Sequence, residues 1–125
     1  MTATPSNQQP QPSAEGGNTE EVLFYCDMLA LTPSERQAHQ ALIGRLFGSL
    51  LLETRELADG YAYGFEGEHY QLVAEFITHE RLCCPFLTFG LTVAPHRGPV
   101  WLQLTAPGDV KPFLTEELGQ YVAGQ

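Results

Sequence analysis

Positive charge is scarce in this chain of 125 residues. Lys and Arg number 6 against 15 Asp and Glu, which sets the formal charge at −9. Nucleic acid is a poor partner for such a chain, because phosphate binding needs a basic stripe that displaces counterions. Long apolar runs are also missing. None approaches the roughly 18 residues of a spanning helix, and the start has no basic-then-apolar secretory pattern. The chain therefore reads as cytoplasmic, with no membrane contact. Cysteine is sparse as well, with 3 in all. Cys26, Cys83 and Cys84 are too few and too unevenly spread for a disulfide scaffold. In a reducing compartment they are expected as free thiols, and free thiols raise the question of metal or redox chemistry.

Residues 1–20 hold Pro, Gln, Ser, Asn, Thr and Gly with almost no apolar side chains. Nothing there can offset the entropy of ordering, so a disordered leader is expected, followed by a single α+β domain over 21–125. Val22 to Cys26 is an apolar run of strand formers and reads as a first strand. Thr32-Pro33-Ser34-Glu35 carries three agreeing helix-start signals: a capping Thr, Pro at the first helical position and Glu to close a capping box. His39, Leu42, Ile43, Leu46 and Leu50 follow at helical spacing. Leu51 to Leu57 and Tyr61 to Phe65 read as strands around a turn at Ala58-Asp59-Gly60. A second helix is expected from about Glu68 to Cys84, stopped by Pro85. Leu87 to Val93 and Val100 to Leu104 give two more strands, and a short helix near Val110 to Leu118 ends the domain. The order β-α-β-β-α-β-β-α contains a ferredoxin-like β-α-β-β-α-β core, with an added strand and a C-terminal helix, in a two-layer sandwich.

That path has a consequence for chemistry. With the first strand running up, the second helix ends at the same end of the sandwich as Cys26, so Cys26 and the Cys83-Cys84 pair converge. Glu80 lies three and four residues before the pair and shares its helical face. The face is otherwise apolar, where an unpaired carboxylate is costly, so Glu80 is expected to be paired, protonated or bound to metal. His39, on the apolar stripe of the first helix, can approach from the neighbouring element.

The segments Cys26 to His39, Glu56 to Tyr63 and Glu80 to Leu87 resemble a family of small bacterial proteins with a Cys…Glu-x-x-Cys-Cys-Pro-Phe pattern. Related segments are similar to tails attached to heavy-metal-responsive regulators. The resemblance implies a bacterial setting and an association with soft metals.

Three readings compete. In the first, Cys26, Cys83 and Cys84, with Glu80 or His39, hold Zn or another thiophilic ion such as Cu(I) or Hg. Adjacent cysteines chelate one small ion poorly, which favours a low-coordinate ion or the use of only one of the pair. In the second, a thiol serves redox or enzymatic chemistry. Cys26, just before a helix N-terminus, is then the better-placed nucleophile, with Arg36, Arg81 or a protonated His39 as the cationic neighbour; a vicinal Cys83–Cys84 disulfide is the other option. In the third, all three are buried small hydrophobes of an interaction domain. His69 and His96 read as surface and turn residues, and Tyr61, Tyr63 and Phe65 as core. Trp101, facing away from Val100 and Leu102, is a candidate homodimer contact.

Overall fold

The computed structural model describes residues 24–122; the expected leader and Val22 lie outside the described residues. Helix α1 spans Pro33–Arg45 and begins as its capping box requires. Thr32 Oγ1 accepts from the Glu35 N–H at 3.1 Å, while Glu35 Oε1 accepts from the Thr32 N–H at 2.9 Å. Two orphan donors of the first turn are thereby satisfied. Past Arg45 the helix widens into a π turn over Leu46–Leu50. The wider turn brings two consecutive residues inward, and both Leu46 and Phe47 are fully buried.

Strands β1 (Glu53–Leu57) and β2 (Gly60–Phe65) form a hairpin, helix α2 spans Tyr70–Cys83, strands β3 (Thr88–Val93) and β4 (Val100–Thr105) form a second hairpin, and helix α3 spans Lys111–Val122. The two hairpins meet edge to edge in an antiparallel sheet of order β1-β2-β4-β3. Tyr63 faces Leu102 and Phe65 faces Val100 across the central β2–β4 pair. These side chains are buried with Val73 and Phe76 of α2 and Leu114 and Leu118 of α3. Phe47 sits at the centre, its ring 5.2 Å from Tyr63, 5.7 Å from Phe65 and 5.5 Å from Phe76, edge-on in each case. Edge-to-face rings gain quadrupole attraction beyond their area. On the opposite sheet face the Arg55 guanidinium lies 4.2 Å from the Trp101 ring centre. Gly64 lies under the same ring, where a Cβ would come within 2.9 Å of the indole.

The α+β class and the antiparallel sheet agree with the sequence reading; the first strand does not. Phe24 to Asp27 carry no strand, and a 3₁₀ turn follows at Met28–Ala30. The ferredoxin-like order, which needs a strand at 22–26 inside the sheet, is therefore not completed by the described residues. In the described part of that run Tyr25 is exposed, while Phe24 and Cys26 are half-buried. Phe24 packs edge-on against Phe86 at 5.2 Å and near Phe113 at 6.2 Å, on the ends of the helix layer.

Candidate functional site

Proline 85 divides the vicinal cysteines. The residue before a proline is pushed out of helical geometry, and Cys84 leaves the helix at φ −123°, ψ 69°. Cys83, the last residue of α2, keeps its helical direction into the core and donates its thiol hydrogen to the His79 carbonyl at 3.2 Å. Cys84 turns instead toward the segment before α1, where Cys26 waits. The two are joined in a disulfide, with Cα atoms 4.9 Å apart across a separation of 58 residues. That spacing lies inside the range a disulfide accepts.

One further backbone bond ties the Cys26 segment to this end of α2, and two side-chain bonds tie it to α1. The Asp27 N–H donates to the Cys83 carbonyl at 2.8 Å, satisfying one of the orphan acceptors of the helix end. Arg36 of α1 reaches back, donating from Nε to the Met28 carbonyl at 3.1 Å and from Nη2 to the Leu31 carbonyl at 3.3 Å. Its guanidinium is thus engaged by backbone rather than by a thiol.

Glu80 is buried at 3% exposure, as its place on the apolar face of α2 implied. Its partner is His39, whose Nε2 donates to Glu80 Oε1 at 2.7 Å, with both side chains removed from water. His39 also lies against Phe76, ring centres 5.6 Å apart, and its Nδ1 is buried with no hydrogen-bond partner among the described residues. The second carboxylate oxygen, Oε2, lies 3.4 Å from Cys84 Sγ. A disulfide sulfur carries no proton, so this contact becomes a hydrogen bond only once the bond is reduced.

Glu80 is the hub of two donor sets. Cys26, Glu80 and Cys84 form one, and His39, Glu80 and Cys83 the other; within each, the ligand atoms lie within 4.8 Å of one another. The five candidate ligands read from the sequence are therefore neighbours in space. The field around them is negative. Burial pushes the Cys83 thiol up to about 11, and the charges of Glu80, Asp27 and Glu117 push the same way. Burial likewise raises Glu117 of α3 above the usual carboxylate range, with Glu80 and Glu116 adding to it. No cation is among the causes acting on either group.

Two sequence expectations are corrected here. The cysteines are not three free thiols: Cys26 and Cys84 are bonded, and Cys83 alone is free. Nor is there a vicinal disulfide, because the pre-proline backbone sends the two sulfurs in different directions. Convergence at one end of the fold does occur. Its cause is the docking of a strandless segment on the end of α2, not a first strand in the sheet. Sequence reading missed the acidic residues of α3, Glu116 and Glu117, which come from a helix with no motif of its own. Among the described residues no helix is long and apolar enough to cross a membrane. Comparison with protein-family models, with curated proteins and with solved structures finds no match to this chain.

Proposed function

We propose that this protein is a small bacterial, cytoplasmic soft-metal-binding domain, active in its dithiol form. The observation that carries the reading is the donor set of half-buried Cys26 with buried Cys84 and Glu80, whose ligand atoms lie within 4.8 Å of one another although they come from two separate segments. Two thiolates select thiophilic ions such as Zn(II), Cu(I) or Hg(II) over hard cations. The carboxylate adds a harder donor that zinc also accepts. His39 then acts behind the ligands, holding Glu80 Oε1 and leaving Oε2 directed to the sulfurs. Cys83 and His39 give a second donor set around the same Glu80. The resemblance of the Cys-Cys-Pro-Phe block supports the same class of ion.

The disulfide is the metal-free, oxidised form in this reading, since a bonded sulfur has no thiolate to offer. The cytoplasm keeps thiols reduced and so maintains the binding form. The test is metal analysis and competitive titration of full-length protein after reduction with a phosphine. Reduced wild type is expected to retain about one Zn(II) or Cu(I) per chain, and the oxidised protein, Cys26→Ser and Cys84→Ala to retain none, as mononuclear thiolate sites require their sulfurs. Reduced wild type that holds no ion, or Ser and Ala variants that bind as tightly, would refute the assignment.

A further inference from the structure

The two residues of the disulfide differ in access. Cys84 is fully buried, whereas Cys26 is partly exposed. Cys26 opens onto an open groove of about 700 Å³, lined also by Phe24, Met28, Phe113, Glu116 and Glu117. That volume falls within the range of small-molecule sites, and its walls combine aromatic surface with two carboxylates and no cationic side chain. Phe113, Glu116 and Glu117 belong to α3, so the groove is built between α3 and the disulfide-tethered segment. Attack on a disulfide requires a thiolate to approach one sulfur along the S–S axis. Cys84 is fully buried whereas Cys26 is partly exposed and lines the groove, so attack at Cys26, with Cys84 as the leaving sulfur, is the direction the groove leaves open.

We propose that the Cys26–Cys84 disulfide is a thiol–disulfide exchange couple, attacked at Cys26 by a low-molecular-weight thiol without an acidic group that enters through the groove beside Glu116 and Glu117. The inference goes beyond the metal reading and needs no metal. The incoming thiolate forms a bond to Cys26 Sγ, the Cys26–Cys84 bond breaks, and its electron pair leaves with Cys84, which takes up the proton that the incoming thiol released. A second equivalent of thiol attacks the mixed disulfide at its own sulfur, so Cys26 departs as a thiol and the reductant leaves as its symmetrical disulfide. Two electrons pass from two thiols to the protein. A low-molecular-weight disulfide of the same class returns the couple to its oxidised state by the reverse sequence. The carboxylates of the groove repel an anionic reagent and attract a cationic one, so charge sets which thiols enter.

The experiment uses full-length oxidised protein in the presence of a chelator. Reduction is followed by mass spectrometry with cysteamine, 2-mercaptoethanol and 2-mercaptoethanesulfonate. Each rate is expressed per thiolate and divided by that for a linear peptide disulfide. Cysteamine is expected to be favoured over the sulfonate by at least about tenfold, the scale of electrostatic steering in a charged cleft. The Glu116→Gln, Glu117→Gln double variant is expected to collapse the order. Reduced Cys84→Ala exposed to cystamine should trap one adduct, on Cys26, while Cys83 stays unmodified; reduced Cys26→Ser should trap none on Cys84. A wild-type disulfide left intact by every thiol of the series, an adduct on Cys83 or Cys84, or a sulfonate as fast as cysteamine would overturn the proposal. The wild-type series stands without any variant that fails to fold. Exchange measured under chelator and metal retention measured under phosphine are separate readouts, so either reading can fall alone.

Discussion

Breaking the Cys26–Cys84 bond should cost this protein a large part of its stability, and the cost can be worked from the separation. The bond joins residues 58 apart. In the loop-entropy account, closing a loop of that length removes about 14 cal/mol/K from the unfolded chain, or about 4 kcal/mol at 25 °C. For a domain near 100 residues that is a fall in Tm of about 15 °C or more. The Asp27 to Cys83 hydrogen bond and the Arg36 contacts involve no sulfur, so they remain available to hold the segment after reduction. Urea unfolding of oxidised Cys26→Ser, Cys84→Ala and the double variant supplies the cycle. Each single change removes the whole bond, so each should lose about 4 kcal/mol, and the double variant should lose scarcely more than either single. The same cycle on fully reduced proteins should be close to additive, with only the small loss of a buried sulfur at Cys84. Wild type whose urea midpoint is unmoved by reduction would refute the reasoning, as would additive losses in the oxidised series.

Other outcomes test the residues around the bond. Glu80→Gln keeps an acceptor for His39 Nε2 and should cost about 1 kcal/mol, the difference between charge-assisted and neutral hydrogen bonds. Glu80→Ala should cost about 3–5 kcal/mol by stranding His39 and leaving a cavity, whereas Glu116→Gln should be neutral in the same denaturation series. Cys83 is a thiol raised from 9.0 to about 11 in the fold. Between those pH values the unfolded chain loses this proton and the folded one keeps it, so stability should fall as pH rises through that window and not below it. Cys83→Ala should remove the Cys83 share of that slope, read from urea midpoints of the oxidised proteins at pH 8 and about pH 9.5, below the range where the buried phenol of Tyr63 adds its own fall. Thr32→Ala breaks the capping box of α1 and should cost about 1 kcal/mol, with no change in metal retention by the reduced protein.

What the amino-acid order determined by itself is local. Thr32, Pro33 and Glu35 are close enough in the chain to satisfy each other's backbone groups, so the start of α1 was legible residue by residue. The 3.6-residue period put Val73, Phe76, Glu80 and Cys83 on one face of α2, and burial of Glu80 followed from that period alone. Ala58 and Asp59 made the β1–β2 turn for the same reason, being contiguous. Even the division of Cys83 from Cys84 is a local effect of Pro85, although its meaning needs a partner to reveal it. The tertiary structure decided everything that depends on distant segments. Val22 to Cys26 has strand formers, yet where Phe24 packs depends on whether an edge strand or the Phe86–Phe113 corner offers the better burial. The His39–Glu80 pair joins two helices whose side chains meet only after the core around Phe47 has set their distance. The choice of Cys84 over Cys83 as the partner of Cys26, and the acid-lined groove that α3 places beside them, are likewise products of packing. Local patterns carry short-range hydrogen bonding and periodic burial, whereas pairing across 58 residues is settled by which surfaces fit when the layers close.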